Sequence, residues 1–232
     1  GNHSLRITTR QGFQFHAILN KNLKSVIRGI NEKLGTTLGA CGDNIRNVVG
    51  CPAPSYDRTK LKVYEYCKAV SDQFLSKSGT YHEIWLNGEK VEDLSSKKPE
   101  EVEPIYGKAY LPRKFKIALA FPEDNCVDVY TNDIGIVPEI SGEKLIGFNI
   151  LGGGGLGMSH GAKDTFPRLA DPLCFVTPDE ILDITKAIVL VQRDHGDRKS
   201  RKHARMKYLI HDRGLRWFQE EVGKRFGKKL NS

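Results

Sequence analysis

Gly135-Ile136-Val137-Pro138-Glu139-Ile140-Ser141-Gly142-Glu143-Lys144-Leu145-Ile146-Gly147-Phe148-Asn149-Ile150-Leu151 holds two apolar runs joined at a Ser-Gly step. Both runs are rich in β-branched residues, and glycine permits the reversal between them, so the stretch reads as a β-hairpin. Residues 115–121 and 126–130 read as two further strands just before it. Residues 172–177 read as irregular. Thr177-Pro178-Asp179-Glu180 is a helix start, with an N-cap, a proline in the first turn and a capping-box glutamate. A helix over 178–194 follows, then a basic helix over 198–210 and another over 215–226. Upstream, 4–9 and 13–16 read as extended. Residues 18–34 have helical spacing that ends at Gly35, 36–56 read as loop, and Leu61, Tyr64, Cys67, Val70, Phe74 and Leu75 form a second helical stripe. Residues 81–86 read as a strand closing on an Asn87-Gly88 turn, and 89–106 as an exposed loop. Grouped strands with helices before, between and after them give an α+β fold, a mixed or antiparallel sheet covered by helices.

The chain has 232 residues, 39% of them hydrophobic and 28% charged. It can bury a core, and general disorder is excluded. No apolar run reaches the roughly 18–20 residues that span a bilayer. Gly1-Asn2-His3-Ser4 carries no initiator Met and no signal-peptide pattern, and it leads straight into a strand-like run. These features fit a cytoplasmic protein and a portion of a longer chain. The net charge of +8 favours anionic partners without choosing among them. The five cysteines, Cys41, Cys51, Cys67, Cys126 and Cys174, are scattered and include no CxxC pair. A disulfide framework, and a zinc or iron–sulfur site made from this chain alone, are therefore not expected.

Several runs could carry chemistry. Arg6, Arg10, Gln14 and His16 would share a face if their segment is extended, and a solvated strand face is the bland alternative. Arg46 follows a Gly-rich loop, where it also fits an exposed turn. Lys114 and Lys116 flank Phe115; on a strand both ammonium groups point one way, as they would on a protected sheet edge. Gly152-Gly153-Gly154-Gly155-Leu156-Gly157 lacks the Lys-Ser/Thr of a phosphate loop. Residues 198–207 carry six Lys and Arg. They could form a solvated helix face, or a nucleic-acid patch that lacks interleaved aromatics.

Read together, the string from Thr8 to His16, the string Gly42-Asp43-Asn44-Ile45-Arg46-Asn47-Val48, the Lys114-Phe115-Lys116 run, the Gly-rich run and the segment 197–208 resemble the sulfite/nitrite reductase haemoproteins, which use sirohaem. The resemblance runs through nearly the whole chain in the family's order. It implies that Arg6, Thr8, Arg10, Gln14 and His16 lie against the tetrapyrrole and its carboxylates. It implies the same for Lys202, Arg205 and Lys207, with Lys202 and Arg205 three apart on one helix face. Arg46, Lys114 and Lys116 become the groups that meet the substrate oxyanion. Clustered cations make one another harder to charge, so a lysine there should have a lowered pKa and could yield a proton. Nitrite-reducing relatives tend to carry a neutral residue where Lys116 stands, which favours sulfite over nitrite.

The same resemblance divides the chain into 1–56, the end of a ferredoxin-reductase-like half domain, and 57–232, a sirohaem/[4Fe-4S]-type nitrite/sulfite reductase domain. It implies six-electron reduction of sulfite to sulfide, with electrons from ferredoxin or a flavoprotein. The [4Fe-4S] ligands, two closely spaced cysteine pairs, would lie in a remaining C-terminal half, and a further arginine upstream. A 232-residue portion alone is then expected not to turn over sulfite. A nitrite reductase of the same family, a basic nucleic-acid-binding module and a non-catalytic interaction fragment are the rival readings.

Overall fold

The structure is a computed structural model that describes residues 4–77, 83–86, 89–93 and 102–230. In chain order its elements are β1 (Leu5–Ile7), β2 (Phe13–Phe15), α1 (Leu23–Glu32), β3 (Ile45–Val49), α2 (Arg58–Gln73), β4 (Glu83–Leu86), β5 (Glu89–Asp93), β6 (Phe115–Leu119), β7 (Ile134–Ser141), β8 (Lys144–Gly152), β9 (Asp171–Val176), α3 (Ile181–His195), α4 (Met206–Arg213) and α5 (Leu215–Phe226). Five strands make the main sheet in the order β3-β6-β7-β8-β9. β3, β6 and β7 run parallel, whereas β7, β8 and β9 are antiparallel. The α+β fold with a mixed sheet is therefore present. β3, which precedes residue 57, belongs to this sheet through its pairing with β6.

Alternation along the strands separates two faces. Ile45, Phe115, Ile117, Ile134, Ile136, Phe148 and Ile150 enter the core with α2, α3 and α5. Arg46, Lys114 and Lys116 alternate with these core residues and point the other way. α2 buries Val63, Cys67 and Val70, and Phe74 extends the stripe. The expected stripe was partly displaced: Leu61 and Leu75 are exposed, and Val63 takes the central place. α3 is buried on most of its circumference, from Ile181 to Gln192, because α2 and α5 both pack against it. Its capping box forms as read from the sequence, with Thr177 and Glu180 satisfying each other's backbone.

Several expectations are corrected. β3 falls in the stretch read as loop, and β9 in the stretch read as irregular. Pro172 obscures β9 at sequence level, but edge strands admit proline. Residues 126–130 are not a strand. Asp128 takes a left-handed conformation (φ 51°), and a 3-10 turn over Val129–Thr131 follows it. Glu89–Asp93 pairs with Glu83–Leu86 instead of lying in a loop. The Asn87-Gly88 turn lies outside the described residues. The first helix ends at Glu32, and the left-handed residue that stops it is Leu34 (φ 61°), one before Gly35. The basic helix over 198–210 is replaced by turns as far as Arg205, and helix begins only at Met206.

Candidate anion and cofactor site

Register explains how distant residues meet. Ile45 of β3 pairs with Phe115 of β6, and Ile117 of β6 with Ile134 of β7. Arg46 therefore stands beside the Lys114–Lys116 run, and Asp133, one residue before Ile134, stands level with Lys116. Asp133 is fully buried. Its Oδ2 accepts the backbone N–H of Lys116 at 2.8 Å. Arg205 grips the same carboxylate, with Nε 3.0 Å and Nη2 2.9 Å from Oδ1, and Nη2 2.8 Å from Oδ2. An Arg–carboxylate fork of this kind fixes orientation as well as charge.

Arg10 reaches the same place from the N-terminal hairpin. Its guanidinium donates to Asn132 Oδ1 at 2.9 Å and to the carbonyls of Asn47 and Ile117 at 2.6 and 3.3 Å. Burial lowers it to about 10; Asp133 opposes this shift, and Arg205 and Arg46 add to it. Lys116 is lowered to about 8, first by burial and next by Arg205, with Asp133 opposing and Lys114 and Arg10 adding smaller shares. Lys114 is lowered by burial, then by Arg113, Arg46 and Arg205. The expected direction is thus present, but burial rather than repulsion between the two lysines is its first cause. Arg46 donates to the carbonyls of Ala40 and Gly42, and its buried Nε has no partner among the described residues. Arg10 Nε is likewise buried and unpartnered. Five cations and one carboxylate share one face of the sheet. Two buried, unanswered guanidinium nitrogens and a depressed ammonium there suit a ligand bearing several negative charges.

Other expected residues lie elsewhere. The run from Thr8 to His16 turns at Gln11 (φ 58°), so Arg10 does not share a strand face with Gln14 and His16. Thr8 closes this turn, its Oγ1 accepting Gly12 N–H at 3.2 Å. Arg6 and Gln14 are register partners on an exposed hairpin, and His16 follows it, also exposed. Lys202 is exposed in a turn, and Arg205 is the extended residue before α4, so the two do not share a helix face. Lys207 is buried with its ammonium on the carbonyls of Gly155, Gly157 and Phe166, at 2.9 and 2.7 Å for the first two. Burial, then Arg205, draw it down to about 8, which leaves it charged at neutral pH.

The basic segment is mostly engaged internally. Arg198 donates to the carbonyls of Ala109, Tyr110 and Arg193, and Arg201 makes a two-bond fork with Asp43 at 2.7 and 3.0 Å. The Gly-rich run serves close packing. Gly153 and Gly154 donate to Asp133 and Asn132 carbonyls at 2.9 and 3.0 Å. A Cβ on Gly154 would collide with the carbonyl oxygens of Tyr130 and Asn132. Asn132 and Asp133 escaped the sequence reading. Their signal was an acidic residue immediately before an apolar strand, but it becomes informative only once β6 and β7 are known to be parallel neighbours.

Among the described residues no four cysteines converge, so this part of the chain does not fit a four-thiolate iron–sulfur site. No described helix is long and apolar enough to cross a membrane.

Comparison with known proteins gives the family. The profile of the family described as "Nitrite and sulphite reductase 4Fe-4S domain" matches residues 41–230. The sulfite reductase [NADPH] hemoprotein beta-component of Lysinibacillus sphaericus is 49% identical over 98% of this chain and 39% of its own length. The sulfite reductase [ferredoxin] of Synechococcus elongatus is 48% identical over 99% of this chain and 39% of its own length. The chain therefore spans about two fifths of the length of these relatives. The solved structure of Mycobacterium tuberculosis NirA superposes with a TM-score of 0.71 at 26% identity, over 97% of this chain and 35% of that one. With a matched profile running from the loop before Arg46 to the end of the last helix, the chain belongs to the nitrite and sulphite reductase 4Fe-4S domain family.

Proposed function

We propose that this chain supplies the anion-binding half of a sulfite reductase, which reduces sulfite to sulfide with six electrons. The observation that carries the reading is the convergence of Arg10, Arg46, Lys114, Lys116 and Arg205 around buried Asp133, with Lys116 lowered to about 8. The tetrapyrrole in this proposal is sirohaem, a haem with many carboxylates, and it supplies the redox chemistry when bound. The cluster that feeds it electrons would be held by residues outside the described part of this chain.

In this reading the chain's own groups do three things. Arg10 offers a guanidinium to the carboxylates of the macrocycle, a role the exposed Arg6, Gln14, His16 and Lys202 would share at its rim. Arg205 and Lys207 hold the walls: Arg205 locks Asp133 and with it the backbone of Lys116, and Lys207 ties down the Gly155–Phe166 loop. Arg46, Lys114 and Lys116 draw in sulfite and stabilise the charge that builds on its oxygens. Lys116 is poised near neutrality and can pass a proton to a departing oxygen from Nζ. Proton supply at this atom matters because the oxygens leave as water. The electron donor would be ferredoxin or a flavoprotein partner; the names of the two relatives give NADPH for one and ferredoxin for the other.

The test is an enzyme assembled from this chain, sirohaem and a cluster-bearing remainder, assayed with a chemical electron donor. Lys116→Gln should lower sulfite turnover by about two to four orders of magnitude, as loss of a proton donor does, and shift the sulfite-to-nitrite preference towards nitrite. Unchanged sulfite turnover would remove Lys116 from the mechanism. Steep, salt-dependent binding of RNA or DNA by the chain would favour the rival nucleic-acid reading.

A further inference from the structure

Beyond Val49 the chain leaves β3 through Gly50 to Cys51, and there the fold closes a second group of reactive side chains. The Cys51 thiol donates to Asp124 Oδ2 at 3.1 Å across 73 residues of sequence. The ligand atoms of Cys51, Asp124 and Cys126 all lie within 4.8 Å of one another. Backbone contacts fix each member. Asp124 N–H donates to the Phe121 carbonyl at 3.1 Å, Cys126 N–H to Asp124 Oδ1 at 3.1 Å, and the Tyr64 hydroxyl to the Cys51 carbonyl at 3.0 Å. The carboxylate is thus held on Oδ1 and presents Oδ2 to the thiol. Cys51 is buried, Asp124 half-buried and Cys126 exposed, so the group has a closed floor and an open side.

We propose that Cys51, Asp124 and Cys126 form a site for one thiophilic divalent cation of the zinc and cadmium class, bound by two thiolates and one carboxylate oxygen with a fourth position open to water. Zinc takes sulfur at about 2.3 Å and carboxylate oxygen at about 2.0–2.2 Å, which sets neighbouring ligand atoms roughly 3.5–3.8 Å apart. The observed spacing, within 4.8 Å, is close to that. Soft thiolates with one oxygen select such ions over magnesium or calcium. Binding balances as one dication and two thiols giving a complex of charge −1 with the carboxylate, and two protons released. Lys60, the ammonium that acts on Asp124, is paired with Glu123 at 2.7 Å.

A disulfide between the two cysteines is the competing outcome, because both thiols belong to the same group. The bound ion would clip the exit of β3 to the connection between β6 and β7. Those strands present Arg46 and Lys116, and Arg46 lies five residues along, roughly 15–17 Å away at about 3.3 Å per residue.

The experiment is a Cd2+ titration of the reduced 232-residue chain, followed by the thiolate-to-cadmium charge-transfer absorbance and by proton release. One equivalent should saturate the band with two protons released, and Zn2+ should compete. Cys126→Ser, a change on the exposed side that leaves the core intact, should cut affinity at least tenfold, and Asp124→Asn should weaken it by about tenfold with the band retained. Cys41→Ser, an exposed thiol elsewhere, should change nothing. A wild-type chain without saturable absorbance would overturn the proposal, as would full-affinity binding in Cys126→Ser, or a Cys51–Cys126 disulfide that forms in air and leaves the re-reduced chain unable to bind Cd2+.

Discussion

The segment 198–207 and the start of β6 are both dense in cations, yet they end in opposite situations. In the first, Arg198, Arg201, Arg205 and Lys207 each find carbonyls or carboxylates of their own chain. In the second, Lys114 and Lys116 gain no carboxylate partner for their ammonium groups among the described residues, and burial makes their charge costly. Cation density in sequence therefore does not equal available charge. The richer segment builds the wall, and in the proposed function the poorer run is the one that offers its charge to an anion. The difference arises from register: β6 places Lys116 level with Asp133, but Arg205 occupies that carboxylate first.

Breaking the wall should have the largest effect. Asp133→Ala leaves the Arg205 guanidinium buried without its partner and should cost about 3–5 kcal/mol in chemical denaturation. If the cost is below about 1 kcal/mol, the wall is not where the basic segment's charge is used. Lys207→Met should cost less, about 1–3 kcal/mol, because three carbonyls lose their donor. Hydrogen exchange should quicken in the Gly155–Phe166 loop before elsewhere.

Changing the presented charge should act with the opposite sign. A lysine whose folded pKa is about 8 against 10.5 unfolded binds its proton more weakly in the folded state. It therefore opposes folding, fully so below pH 8, and the penalty fades as pH rises towards 10.5. Lys116→Gln should stabilise the ligand-free chain at pH 7, with the gain shrinking between pH 8 and 10.5, while anion binding weakens. The smallest effect belongs to Lys202→Gln, an exposed turn residue, which should stay within about 0.5 kcal/mol in the same denaturation assay. A larger loss would mean that Lys202 belongs with the wall.

The sequence displayed the parts of the fold that depend on neighbours along the chain. The β7–β8 hairpin, the capping box at Thr177 and the buried face of α3 all follow from local spacing. It concealed the parts decided by partners far away. β3 is short, and only its pairing with β6 makes it a strand. Residues 198–205 have helical charge spacing, but tertiary acceptors at Asp43 and Asp133 pull their arginines into turns. The N-terminal arm gives the converse case. Leu5, Ile7, Phe13 and Phe15 stay 52–73% exposed on one hairpin face, so a clear alternating pattern found no packing partner among the described residues. For the site, Arg10, Arg46, Lys114, Lys116 and Arg205 were legible by type and order. Their organiser, Asp133, was not, because a single carboxylate before a strand acquires meaning only from the strand beside it.

A Lys116 that belongs to one cationic cluster, rather than to a solvated edge, should titrate below an ordinary lysine. Its side-chain amine can be followed by NMR across a pH titration of the isotope-labelled chain, with and without sulfite. A midpoint near 8 is expected in the free chain, moving upward when the oxyanion binds. A midpoint at the ordinary lysine value of about 10.4, unmoved by sulfite, would contradict it.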